Sequence, residues 1–338
     1  MLHRIPFPVA FVALVAPLLL AVTAPPARAQ AWLPAKGEGA VSVLFSDIFS
    51  KYHFQRTTPV DRGHIRSDSL LVDVTYGLTD RVAVSLGIPW IAAKYTGPLP
   101  HPLVDTSGPI PVYYGVNSVD GGSYHGTFQD FRFDVRYNVT KRGMVLTPFI
   151  GTIVPSHDYA YCAHAATGRN LNEVQIGVSG ARLLDRLVPG LFVQGSYSYG
   201  IPAKVLDISH NRSNVSLEVG YFATPKLRLL GLATGQHSHG GIDDTGTLRA
   251  TKPELFFVHD KIQREHYLNL GGGVSYALSE KTDLFGSVVH AVKKRNGHAI
   301  YYGATVGVSW SFSTRSGARA IASAERSLAK CLCEKKSS

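Results

Sequence analysis

"FQDFRFDVRYNV", Phe128 to Val139, sorts its residues onto the two faces of an extended chain. Gln129, Phe131, Phe133, Val135, Tyr137 and Val139 share one face, and Phe128, Asp130, Arg132, Asp134, Arg136 and Asn138 share the other, because successive strand side chains point to opposite sides. A soluble sandwich would turn the charged face to water and the apolar face to a core. A membrane barrel would turn the apolar face to lipid and the charges to a lumen. The connections between such segments separate the two readings.

Eleven further segments show strand length and period-2 alternation, at about 38–50, 65–78, 81–95, 144–155, 172–184, 190–202, 211–223, 227–239, 263–278, 282–293 and 299–312. With Phe128 to Val139 they make twelve strands. The turns after strands 2, 4, 6, 8 and 10 are short, at Thr79, Thr140, Asp185, Thr224 and Ser279, while four of the other six connections run to about a dozen residues or more. Short turns at one end and long loops at the other predict an all-β fold: a transmembrane antiparallel up-and-down β-barrel of 12 strands with periplasmic turns and extracellular loops.

A small repeat fixes the depth of this barrel in the bilayer. "YGLTD" at Tyr76, "YNVTK" at Tyr137, "YFATP" at Tyr221 and "YALSE" at Tyr276 each set a tyrosine on the lipid-facing parity just before a short turn, as a girdle at the periplasmic interface requires. Trp310 and Phe312 extend the girdle onto the last strand. "TVGVSWSF", Thr305 to Phe312, resembles the terminal strand signal by which outer-membrane barrels are recognised for assembly, so the barrel assembly machinery is an expected partner through this strand.

Both ends of the chain carry segments outside the barrel. Residues 1–29 have a basic Arg4, an apolar run from Val9 to Val22 and an A-x-A site at Ala27 and Ala29, which reads as a secretory signal cleaved before Gln30. The barrel domain is then 30–312, and 313–338 form a periplasmic tail in which Ile321, Ala324, Leu328 and Leu332 fit either one short amphipathic helix or an unstructured segment. The formal charge of +10 sits largely in these ends, since Arg4 and Arg28 leave with the signal and the tail holds six Lys or Arg against two Glu. No basic patch interleaved with aromatics marks a nucleic-acid partner.

Several stretches resemble a known family: "LPAKGEGAVSV" at the mature start, "VDVTYGLTDRVAVSLGIPW", "GTFQDFRFDVRYNV", "TPFIGTIVPSHDY", "SNVSLEVGYFATPKL" and "YLNLGGGVSYAL". They are similar to the outer-membrane transporters grouped with the MetA-pathway of phenol degradation. The resemblance covers most of Leu33 to Phe312 and fails over the tail. It implies a barrel that transports small molecules, and it transfers no functional residues.

An outer-membrane lipid hydrolase needs a serine and a histidine on one strand face; His210 and Ser213 are three apart and face opposite sides, and Ser123 with His125 falls in a loop in reversed order. His157, His164, His210, His237, His239, His259 and His298 gather at the extracellular ends, with His237 and His239 on one face near Asp243 and Asp244. These histidines and carboxylates could form a metal or ligand mouth, but no fixed metal-ligand spacing is present, so they read as hydrated rim histidines bonded to loop backbone, and neither a metal nor another cofactor is expected. Cys162 lies in an extracellular loop, where an impermeant thiol reagent should reach it, and Cys331 and Cys333 lie in the periplasmic tail, so a bilayer core of about 30 Å keeps Cys162 from pairing with either.

The expected function is a non-enzymatic outer-membrane channel for passive movement of small solutes, with small hydrophobic or aromatic compounds among the candidates. No nucleotide loop, energy-coupling domain or large plug is expected. Lumen charges at mid-depth, Asp73, Asp130, Arg132, Asp134, Arg136 and Glu218, are the expected solute path, and the expected contacts are outer-membrane lipids and a small-molecule solute. A structural or interaction barrel with a closed lumen is the alternative, since twelve strands lie between filled eight-stranded and open sixteen-stranded barrels. Inward-parity charges, four positive (Arg81, Arg132, Arg136, Arg212) against seven negative (Glu38, Asp73, Asp130, Asp134, Glu173, Glu218, Glu265), predict weak cation selectivity despite the sequence pI of 9.5.

Overall fold

A computed structural model describes residues 31–140 and 143–314. The signal, the tail after Thr314 and its Cys331 and Cys333 lie outside the described residues. The strands are β1 (Glu38–Gln55), β2 (Thr58–Val60), β3 (His64–Gly77), β4 (Val82–Thr96), β5 (Leu103–Asp105), β6 (Val112–Tyr114), β7 (His125–Phe128), β8 (Phe131–Tyr137), β9 (Met144–Val154), β10 (Glu173–Leu183), β11 (Leu191–Pro202), β12 (Arg212–Phe222), β13 (Leu227–Ser238), β14 (His266–Ala277), β15 (Thr282–Arg295) and β16 (Gly297–Ser313). Two helices, α1 (Leu248–Thr251) and α2 (Pro253–Ile262), interrupt the loop between β13 and β14.

Each of the twelve expected segments supplies one barrel strand: β1, β3, β4 and β8 to β16 pair antiparallel in chain order, and β16 returns to pair with β1. That closing ladder runs from Glu38 opposite Ser313 to Phe54 opposite Gly297. Closure is what hydrocarbon demands, because each unpaired backbone group left facing lipid costs several kcal/mol. β1 and β16 have 18 and 17 residues, well beyond the 9 to 11 that cross a bilayer, so their upper parts stand clear of it. The ladder between β15 and β16 stops at Val289 opposite Gly303; above it β15 pairs with β14 and β16 with β1.

The outward faces are apolar and wide open, as Ile150 at 55% and Val288 at 62% exposed illustrate. In a soluble protein such residues would be its core, so this belt is the lipid contact. Tyr137, Tyr221 and Tyr276 lie outward near the short turns. At the closing seam Trp310 stacks on Phe312 (ring centroids 5.6 Å apart) and Phe312 on Tyr76 (6.3 Å). Gly39 makes this possible, since a Cβ there would meet the Phe312 ring at 2.5 Å.

Two expectations about the strands need correction. Phe128 to Val139 is not one unbroken strand: Trp90 pairs with Phe128 but Gly87 pairs with Arg132, a one-residue slip that places a bulge at Gln129 and Asp130. The bulge reverses the parity before it, so Phe128 faces lipid beside Trp90, and Gln129 joins Asp130 inside. Asn296 (φ 53°) and Gly297 (φ 69°) turn the chain in left-handed conformations, within the short 294–298 connection left between the last two expected strands. Arg81 sits in a turn below β4 and not on a strand face.

Candidate functional site

Strand alternation gives the lumen two unlike walls. On β3, β4 and β8, Asp73, Gly87 and Arg132 stand in one cross-strand row. Glycine at the centre leaves the carboxylate and the arginine open to each other, since a Cβ at Gly87 would lie 3.6 Å from Asp73 Oδ2 and 3.5 Å from Arg132 Cβ. Arg136 donates to Asp134, two residues back on the same strand, at 2.5 and 2.9 Å. Further round, Gln194 donates to Glu218 at 2.8 Å, and Arg228 donates to Ser275 at 2.7 Å and to Asp283 at 3.1 Å. The other arc, from β13 through the seam to β3, has Leu230, Leu232, Phe285, Leu44, Ile48 and Leu71 on inward parity. Phe285 lies across Gly307, where a side chain would collide with its ring.

Both ends of this lumen are furnished by chain that sequence reading left outside it. At the short-turn end Ala31 is buried against Val145 and Ala181, with Trp32 beside it, and Thr147 donates to the Ala31 carbonyl at 2.7 Å. At the long-loop end, the loops after β4, β9 and β13 interlock as a cap. Ala165 and Val119 pack on the inward residues Ile65, Ala93 and Tyr95. Tyr113 donates to the Pro253 carbonyl, Asn117 donates to the Cys162 carbonyl at 3.0 Å, and the Lys261 ammonium lies 3.7 Å from the Tyr161 ring centre. Both ends of the lumen are thus narrowed by chain other than the barrel strands.

Asp120 ties the cap together. Its buried carboxylate accepts from the backbone N–H groups of His101 (2.8 Å), His164 (3.1 Å) and Ala165 (2.9 Å) and from the His101 ring (3.1 Å). Burial pushes its pKa up, but these donors, the His101 ring foremost, outweigh burial and hold it down at about 2. Between cap and wall lies a cavity of about 260 Å³ lined by Gln129, Asp130, Arg132, Arg169, Glu173 and Arg212. Arg212 pairs there with Glu173, and Tyr159 donates to Asp130.

Of the six expected lumen charges, Asp73, Arg132, Asp134 and Arg136 come together on neighbouring strands, Asp130 lines the cavity above them, and Glu218 stands on a separate stretch of wall. Arg228 with Asp283 escaped the sequence reading, as did Arg169, the partner of the inward Glu265. The first two sit on strands whose facing the alternation leaves open, and Arg169 comes from a loop.

The rim histidines divide. His157, His237 and His239 are exposed, whereas His210 and His259 are buried and His164 and His298 are enclosed with His53 and His101, which were not among the expected cluster. His53 Nδ1 and His164 Nδ1 lie 3.2 and 2.9 Å from His298 Nε2. Asp243 and Asp244 turn away from His237 and His239, to Arg295 and His53. Cys162 is also buried, contrary to its expected accessibility, and burial, with Asp260 and Asp120 nearby, pushes its thiol pKa up. Ser213 does meet a histidine, His239 Nε2 at 2.8 Å, and Tyr197 at 2.9 Å, but among the described residues no carboxylate orients His239.

The architecture defines a class, the outer-membrane β-barrel. No protein-family model and no curated protein matches the chain. Among solved structures it is similar to the COG4313 outer membrane channel from Pseudomonas putida F1, at 11% identity and a TM-score of 0.62, covering 85% of this chain and 100% of that one. The NanC porin (10% identity, TM-score 0.46, 80% of this chain and 98% of that one) and the CymD monoaromatic hydrocarbon channel (11%, 0.44, 83% and 90%) are more distant. At these identities the likeness is one of fold.

Proposed function

We propose that the protein is a passive outer-membrane channel for small solutes that carry both an apolar face and a polar edge. The observation that carries this is the two-walled lumen: Leu44, Leu71, Leu230, Leu232 and Phe285 on one arc, and Asp73, Arg132, Asp134, Arg136 and Glu218 on the other. An apolar strip lowers the cost of desolvating a ring or short chain, and the polar wall keeps hydrogen bonds available to its substituent. The sequence resemblance to the phenol-degradation transporter group points to the same solutes. A channel is favoured over a hydrolase because His239 has no orienting carboxylate beside Ser213 among the described residues. Liposome swelling with small phenols against sugars of similar mass tests the reading: faster entry of the phenols supports it, and impermeability to both supports the closed, structural barrel.

A further inference from the structure

Two imidazoles and a carboxylate of the cap point lone pairs at one another with no proton between them, beside a buried thiol. His101, from the loop after β4, has Nδ1 against the Asp120 carboxylate at 3.1 Å. His259, on α2, has Nδ1 against the Phe256 carbonyl at 2.5 Å. Both partners only accept, so in each neutral ring Nδ1 carries the hydrogen and Nε2 presents a bare lone pair. Those lone pairs face Asp260: His259 Nε2 is 3.2 Å from Oδ1 and His101 Nε2 is 3.9 Å from Oδ2. Two acceptors thus confront each other, and Asp260 Oδ2 is buried with no hydrogen-bond partner. Cys162, a buried free thiol from the loop after β9, completes the group, all four donor atoms lying within 4.8 Å of one another.

We propose that this is a metal site, taking one divalent transition-metal ion of the zinc class on His101 Nε2, His259 Nε2, Cys162 Sγ and Asp260. Two imidazoles, a thiolate and a carboxylate are a donor set that tetrahedral zinc accepts, and ligand nitrogens and oxygens on such an ion stand roughly 3.3 Å apart. The thiolate and carboxylate together balance a 2+ charge, so the ion turns an unmatched buried carboxylate into a neutral unit. The Asp120 and Phe256 acceptors hold the rings as outer partners of bound metals do. Binding releases the Cys162 proton to solvent and forms four metal–ligand bonds. The site fastens the three loops of the cap to one another, independently of which solute the lumen takes. The adjoining His53, His164 and His298 offer no anionic donor, and no metal is assigned to them.

The test uses the full chain with Cys331 and Cys333 replaced by serine, refolded in detergent and titrated with Co²⁺. One equivalent should bind with a thiolate-to-cobalt charge-transfer band, and Zn²⁺ should displace it. Cys162→Ser should abolish the band, His259→Ala should weaken binding at least about tenfold, and Asp120→Asn should weaken it about 10- to 100-fold. His239→Ala, on the outer surface, should leave it unchanged. Absence of cobalt binding to the unsubstituted site would overturn the proposal, and a band that survives Cys162→Ser would overturn the ligand set.

Discussion

On the proposed channel reading, Asp73 and Glu218 are mid-lumen carboxylates with no cation within ion-pair distance among the described residues, while Asp134, Glu173 and Asp283 have arginine partners. Charges lining a narrow path act on an ion directly, whereas those beyond a Debye length of about 8 Å at physiological salt are screened. The pore should therefore prefer cations weakly, and Asp73→Asn with Glu218→Gln should remove most of that preference; a reversal potential under a salt gradient reads both, and an unchanged potential would show that the current passes elsewhere. Gly307 is the second position where one atom decides. Gly307→Leu collides with Phe285 and should cost about 1–3 kcal/mol through displacement of the ring, seen as a lower urea midpoint in detergent. Inward parity was legible for Asp73 and Glu218 because their strands alternate strictly, and it was not legible for Arg228 and Asp283, whose strands do not.

At the scale of elements, twelve strands were readable because lipid outside and polar groups inside impose alternation on every spanning segment, and because turn and loop lengths differ so strongly between the two ends. The bulge at Gln129 and Asp130 was not readable: a period-2 pattern looks the same through a one-residue slip when both neighbours, Phe128 and Gln129, are tolerable on either face. Its presence gives a sharp expectation. Deleting Gln129 leaves three steps from Phe128 to Arg132 against three from Trp90 to Gly87, so an unbulged strand keeps Phe128 outward beside Trp90 and the folded fraction in heat-modifiability gels should survive; one residue inserted after Gln129 adds a second unmatched step and should reduce it. The closing strand is proposed as the segment engaged during assembly, and its own packing supports a parallel expectation. Phe312→Ala loses two aromatic stacks, worth about 0.5–1.5 kcal/mol each, and should lower barrel yield in cells more than Val306→Ala on the same outward face.

The whole molecule is less open than its strand pattern implied, because the cap depends on contacts between loops 40 to 160 residues apart that no local period encodes. Asp120 to Ala165, Tyr113 to Pro253 and His101 to His259 are of this kind. The loop after β13 is the easiest of the three to remove cleanly. Its base is already closed by Ile242 bonded to Ile262 at 3.0 Å and Arg264 bonded to Ile242 at 2.7 Å, and the β13–β14 ladder below runs from His237 opposite His266 to Leu227 opposite Tyr276. Replacing 245–261 by a short Gly-Ser link should spare that ladder, since shortening a surface loop changes its closure entropy by only about 0.6 kcal/mol per halving. It removes α1, α2 and the acceptor of Tyr113, and with them one side of the cap. Single-channel conductance should rise several-fold over the intact chain if the cap is the narrowest point on the path. If the shortened protein folds and conducts no better, the restriction lies instead at the other end, where Ala31 and Trp32 pack on Val145 and Ala181, and a second excision before Leu33 should then release it.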